Sequence, residues 1–224
     1  MKQPLWKVVL SYITEIEIEH TTSLYNDHLT VSLVKGQYQL TTDEAIYSYG
    51  LRYDNYFGAF KRVDLEVLGS EALLLGLGLG SIPYMLEHAF DKGFRYTAVE
   101  IDEEIIYLAS KYVLSHLDAD IETVKADALQ FVQVSEQKYD FIAMDIFVSD
   151  YIPAEFETVE FLQQLSTMIA PGGLLLFNRL YYYEKDRIKT KQYYEEIFTS
   201  VFPNATKLDI NGNWILVSDK SLLR

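Results

Sequence analysis

Leu73-Leu74-Leu75-Gly76-Leu77-Gly78-Leu79-Gly80-Ser81-Ile82-Pro83 is the stretch on which the reading of this chain turns. An apolar run of strand length enters a glycine turn, and a segment of helical character leaves it over 82–89. Gly76, Gly78 and Gly80 let the backbone pass close to a ligand and swing into the helix, whose first N–H groups face the same site. The spacing is not that of a dinucleotide fingerprint: the third glycine comes one residue early, and Ser81 stands where that pattern needs it. A turn of this kind also serves as a tight strand–helix junction that holds nothing, so the flanking sequence has to decide.

Downstream, strands and helices alternate. Apolar runs of strand length fall at 72–77, 94–100, 121–125, 139–145 and 174–178, with helical stretches at 82–89, 103–114, 128–134 and 155–169 between them. Continuously apolar strands joined by helical crossovers predict a parallel sheet covered on both faces. After a further helix over 188–202 come strand-like runs at 206–210 and 214–218, joined by Asn211-Gly212. Both residues of such a turn tolerate positive φ, which makes the pair a strong hairpin signal. The expectation is an α/β fold with a doubly wound, seven-stranded, mostly parallel sheet whose last strand is antiparallel. That order resembles a class I methyltransferase sheet; a nicotinamide-binding domain has six parallel strands and no terminal hairpin.

Upstream, Glu15-Ile16-Glu17-Ile18-Glu19 alternates strictly, as do Leu29, Val31 and Leu33 with their neighbours. With a third strand over 37–40 and turn residues between, residues 1–42 read as a small N-terminal antiparallel β-meander. Residues 43–224 read as the ligand-binding domain. Thr41 and Glu44 have the spacing of a capping box, predicting a helix over 43–62 that carries Tyr49, Tyr53, Tyr56, Phe57 and Phe60 as a packing stripe.

Carboxylates stand at the strand tips. Glu100 ends the strand after the glycine turn, where an acidic group accepts both ribose hydroxyls of a bound nucleoside. Asp102 starts the next helix and reads as its cap. Asp127, with Ala128 after it, follows the third strand; its side chain can accept from an adenine amino group or cap the helix. Asp145 ends the fourth strand, and Asp150 lies on the loop that follows. Two carboxylates there can hold an amine nucleophile and take its proton.

Together, the meander, Gly36-Gln37-Tyr38-Gln39-Leu40-Thr41, Tyr47-Ser48-Tyr49, the glycine turn, Val99-Glu100-Ile101-Asp102, Asp127-Ala128 and the loop from Asp145 to Pro153 resemble the spermidine synthase (polyamine aminopropyltransferase) family. The resemblance implies a group transferase using S-adenosylmethionine or its decarboxylated form. It would place Glu100 on the ribose, Asp127 on the adenine and Asp145 with Asp150 on the substrate amine, with Gln39 and Tyr49 lining the pocket. It also implies a possible homodimer. The sequence departs from the family pattern in two places. Leu79 occupies the position of the aspartate that holds the aminopropyl amine, and the gate loop reads Asp145-Ile146-Phe147-Val148 instead of Asp-Ser-Ser-Asp. These departures leave a second reading open, a catalytically degenerate adenosyl-binding or assembly module of the same fold.

Composition narrows the partners. The chain has 224 residues, a formal net charge of −14 and no cysteine. Nucleic-acid binding needs clustered Lys and Arg, so a small molecule is the expected partner. Without cysteine there is no thiolate chemistry, disulfide or Cys-zinc site, and four histidines without ligand spacing give no metal assignment. The N-terminal segment reads as neither a signal peptide nor a membrane span, and a cytoplasmic location is expected.

Overall fold

A computed structural model of the chain describes residues 3–43, 45–148 and 151–224. Two sheets account for its strands. The N-terminal sheet is antiparallel, in the order β1 (Ile16–Thr21), β2 (Leu29–Val34), β3 (Gln37–Thr41), β4 (Ile46–Ser48). It is preceded by a short helix, α1 (Leu5–Leu10), none of whose residues is buried. The meander thus has a fourth strand beyond the three expected, and the helix expected over 43–62 is much shorter. Thr41 belongs to β3 and pairs with Ile46, while Glu44 lies outside the described residues. Gly50 at φ +49 begins a one-turn 3-10 segment, and only Asp54–Phe60 forms α2. The β-branched and aromatic run at Ile46-Tyr47 finds a cross-strand partner, which outweighs its helical spacing.

The second sheet has the order β10–β11–β9–β8–β5–β6–β7, where β5 is Glu71–Leu75, β6 Arg95–Glu100, β7 Ile121–Lys125, β8 Tyr139–Met144 and β9 Ile169–Leu180. The strands β5 to β9 run parallel, whereas β11 (Asn213–Val217) is antiparallel to both β9 and β10 (Thr206–Ile210). Asn211 and Gly212 sit at φ +48 and +90 in the hairpin between them, as a mirror-image turn requires. This is the seven-stranded order read from the sequence.

Side-chain alternation along the central strands feeds two cores. Leu74, Phe141 and Leu176 pack against Tyr56 and Phe60 of α2 and Met85 of α3 (Ser81–Phe90). On the other face Leu73, Leu75 and Phe177 pack against Val132 of α5 (Ala128–Val134) and Leu162 of α6 (Val159–Thr167). A third cluster joins the sheets: Leu29, Val31 and Leu40 meet Leu108 and Tyr112 of α4 (Glu103–Tyr112), with Leu79 of the glycine turn between them. Tyr56 also ties α2 to the carboxyl ends of the strands, its hydroxyl donating to the Met144 carbonyl at 2.9 Å. Among the described residues no helix is long and apolar enough to cross a membrane.

Candidate functional site

A cleft of about 610 Å³ opens at the carboxyl ends of β5, β6, β7, β8 and β9 and is roofed by the β1–β2 loop and β4. Ligands bind at this edge in open α/β sheets because the strand order reverses there and the following loops diverge. Its floor is the glycine turn. The Gly76 N–H donates to the Val99 carbonyl at 3.0 Å, fastening the turn to β6. Gly76 and Gly78 have φ of +89 and +53, a region costly for a side-chain-bearing residue. A Cβ on Gly78 would also lie 2.9 Å from the Tyr47 carbonyl oxygen, and one on Gly76 would collide with that of Asp145. Gly80, at φ +85, starts α3 just behind the cleft and does not line it.

Glu100 is held ready beside this turn. Its Oε2 accepts the Leu77 N–H and its Oε1 the Asp102 N–H, both at 3.1 Å. Burial pushes its carboxyl above the ordinary value, and the two N–H donors oppose that shift. Asp102 caps α4 by accepting the Glu104 N–H at 3.0 Å. It also does more than the sequence suggested, because its other oxygen accepts from Ser23 at 2.5 Å and from Asn26 at 2.8 Å. Those bonds pin the β1–β2 loop, with Asn26 on the cleft wall, over the position beside Glu100. Asp127 caps α5 by accepting the Leu129 N–H at 2.7 Å, and both Asp127 and Ala128 line the cleft. Capping and cleft lining therefore coexist at one carboxylate.

Asp145 lies at the opposite end. Its Oδ1 accepts from the Asn178 amide at 2.9 Å and from the Tyr53 hydroxyl at 3.2 Å, and Asn178 Oδ1 accepts from Asn213 at 2.8 Å. Burial pushes the Asp145 carboxyl up to about 6, against the pull of the Asn178 and Tyr53 hydrogen bonds. A buried carboxyl whose pKa is raised in a cleft is suited to proton transfer. Asp150 lies outside the described residues. Next to it, Val148 and Tyr151 exchange backbone hydrogen bonds of 2.9 and 3.1 Å.

Two expected pocket residues are elsewhere. Gln39 is buried in β3 opposite Ser32, off the cleft. Tyr49 leaves β4 at φ −151, ψ 40, where the chain bends into the 3-10 turn, and its N–H donates to the Ser81 hydroxyl at 3.0 Å. Tyr47 and Tyr53 line the cleft in their place, with Asn178 and Asn213. Asn178 had the signal already used for Glu100 and Asp145, a polar residue ending an apolar run. Tyr53 had none beyond its place in an aromatic stripe. Leu79 points away from the cleft into the cluster joining the two sheets and is 1% exposed.

Comparison with known proteins identifies the family. The family model described as the spermine/spermidine synthase domain matches residues 88–218. A probable polyamine aminopropyl transferase of Bifidobacterium longum is 31% identical over 129 residues, 58% of this chain and 28% of its own length. An N-terminal histidine N-methyltransferase of Emericella nidulans is 33% identical over 118 residues, 49% of this chain and 20% of its own length. The chain thus spans a minor part of the curated relatives it matches. Among solved structures, a probable spermidine synthase from Corynebacterium glutamicum superposes with a TM-score of 0.71 at 19% identity, over 90% of this chain and 78% of that one. That superposition shows a shared fold. The family match covers more than half of the sequence, including Glu100, Asp127, Asp145 and Asn178, and on that basis the chain belongs to the spermine/spermidine synthase domain family.

Proposed function

We propose that the protein is an alkyl transferase that binds S-adenosylmethionine or its decarboxylated form and moves an aminopropyl or methyl group to an amine. The observation that carries this reading is one cleft holding Glu100 at one end and Asp145, with its raised pKa, at the other. The glycine turn, whose backbone lines the cleft, leaves room for a nucleoside to lie against Gly76, Leu77 and Gly78. Glu100 accepts the two ribose hydroxyls, and Asp127 and Ala128 bound the adenine.

The sulfonium co-substrate supplies a carbon next to positively charged sulfur: the amine lone pair forms the new C–N bond as the C–S bond breaks, and sulfur leaves as a neutral thioether. Asp145 orients the attacking amine and takes its proton, while Asn178 and Tyr53 fix the carboxylate that does so. Asp150, outside the described residues, is the second carboxylate assigned to the amine. Holding nucleophile and carbon in line accounts for most of the acceleration such a transfer needs. The convergence of Asn178 and Tyr53 on Asp145 in the cleft, and relatives that are aminopropyl and methyl transferases, favour the catalytic reading. The exposed apolar residues of α1, with Leu5 78% and Trp6 62% exposed, suit a homodimer.

Calorimetric titration with S-adenosylmethionine, its decarboxylated form and methylthioadenosine tests the co-substrate half. Release of methylthioadenosine or the demethylated thioether across an amine panel tests the transfer half. Failure of all three nucleosides to bind would overturn the proposal.

A further inference from the structure

A second cavity, of about 180 Å³, lies beside the main cleft. Phe147, Leu180 and Asp186 line both. The two linings differ in sign. Among the described residues of the main cleft, Glu100, Asp102, Asp127, Asp145, Glu155 and Asp186 are acidic and none is Lys or Arg. Among the described residues the smaller cavity gathers Arg179, Lys185 and Lys189 against Glu157 and Asp186. Such a positive excess is notable in a chain of formal net charge −14, because it runs against the field of the whole molecule.

The centre of this cluster is Arg179, on β9 immediately after Asn178 and 2% exposed. Its Nη2 donates to Glu157 Oε1 at 2.5 Å, its Nε donates to Thr190 Oγ1 at 3.4 Å, and its guanidinium stacks 3.8 Å above the Tyr193 ring. Nη1 is buried with no hydrogen-bond partner. Lys189 takes the other Glu157 oxygen, Oε2, at 2.6 Å. One carboxylate is therefore divided between two cations, and a guanidinium N–H is left without an acceptor. An orphaned buried donor on a charged group is costly, and a ligand, ion or water that completes it relieves that cost.

We propose that this cavity is a carboxylate subsite for an amine-bearing substrate. Where that substrate is the acceptor, its reacting amine lies at Asp145 and its carboxylate passes Phe147 and Leu180 to reach Arg179 and Lys189; where it is the donor, the methionyl carboxylate enters the same subsite. The proposal rests on the assignment of Asp145 to the amine. The carboxylate could come from either substrate, the methionyl end of the donor or an amino-acid-like acceptor; the chemistry recognised is the same.

Two ligand pairs differing only in a carboxylate separate these sources. Calorimetry on the full chain compares S-adenosylmethionine with its decarboxylated form. With methylthioadenosine present, it then compares ornithine with 1,4-diaminobutane. The expected result is at least a tenfold tighter binding of the carboxylated member in one pair. Lys189→Gln, at a half-exposed position, should weaken that member at least fivefold more than its carboxylate-free partner, and Arg179→Lys should weaken it too. Equal binding within both pairs, preference for the carboxylate-free members, or a preference unchanged in Lys189→Gln would overturn the subsite. Methylthioadenosine binding alone reports on the adenosyl site, so its failure is distinguishable from loss of carboxylate preference.

Discussion

Asn178 donates to Asp145 Oδ1 at 2.9 Å while its own amide oxygen accepts from Asn213 at 2.8 Å. Strand β9 thus presents an oriented donor to a carboxyl on the neighbouring β8 tip, and β11 fixes which way that amide points. The acid is buried, partly stabilised and still displaced to about 6. Its behaviour with pH follows from that balance.

For stability the sign is set by proton binding. Asp145 has a folded pKa above its ordinary value of 3.8, so between 3.8 and about 6 the folded state holds more protons than the unfolded one. Stability falls as pH rises through that window and stays reduced above it. Asp145→Asn escapes this penalty and should be more stable than the parent by on the order of 2–3 kcal/mol at pH 7.5, and by less at pH 5. Urea unfolding at the two pH values checks it; a gain that does not grow with pH would refute the assignment.

For activity, the ionised carboxylate is the useful form. The free protein's kcat/KM for an amine acceptor should rise with pH through a limb near 6 and level off. Asp145→Asn should lower turnover by two to four orders of magnitude, roughly the worth of a positioned general base. A parent profile with no limb between pH 5 and 7 would argue against Asp145 as the base.

Removing the Asn178 amide takes away a hydrogen bond that favours the charged carboxylate. Asn178→Ala should move the acidic limb upward by about one pH unit, since a hydrogen bond to a charged group contributes about 1.5 kcal/mol or more. The pH profile separates this positioning role from a loss of stability, which would lower activity without moving the limb.

At the other end of the cleft, Glu100→Gln should weaken methylthioadenosine binding about 10- to 100-fold, the worth of charge-assisted hydrogen bonds to a diol. Asp145→Asn should leave that affinity within about twofold. Calorimetry on both variants makes the comparison, and equal losses would dissolve the division of roles.

Leu79→Asp tests whether the missing family aspartate can simply be restored. Leu79 is 1% exposed among Leu29, Val31, Leu40 and Leu108, so a carboxylate there is buried without a partner. The variant should lose about 3 kcal/mol or more in urea unfolding, with no tightening toward decarboxylated S-adenosylmethionine. A stable variant with increased affinity would show that the turn can rotate the side chain into the cleft.

By itself the sequence determined the parallel sheet with its terminal hairpin, the glycine turn, and three of the carboxylates at strand tips. Each rests on local chemistry: strand periodicity, positive φ at Asn-Gly and glycine, and a polar residue ending an apolar run. Tertiary structure decided what local patterns do not encode. Ile46-Tyr47 joined the N-terminal sheet because a partner strand stood beside it, ending the long helix that aromatic spacing suggested. Tyr53 and Asn178 converge on Asp145 from 92 and 33 residues away along the chain. Asp102 proved to be the anchor of the loop carrying Ser23 and Asn26, and Leu79 turned its back on the site. A side chain's direction and its distant partners depend on packing between elements, and periodicity within one element carries no record of them.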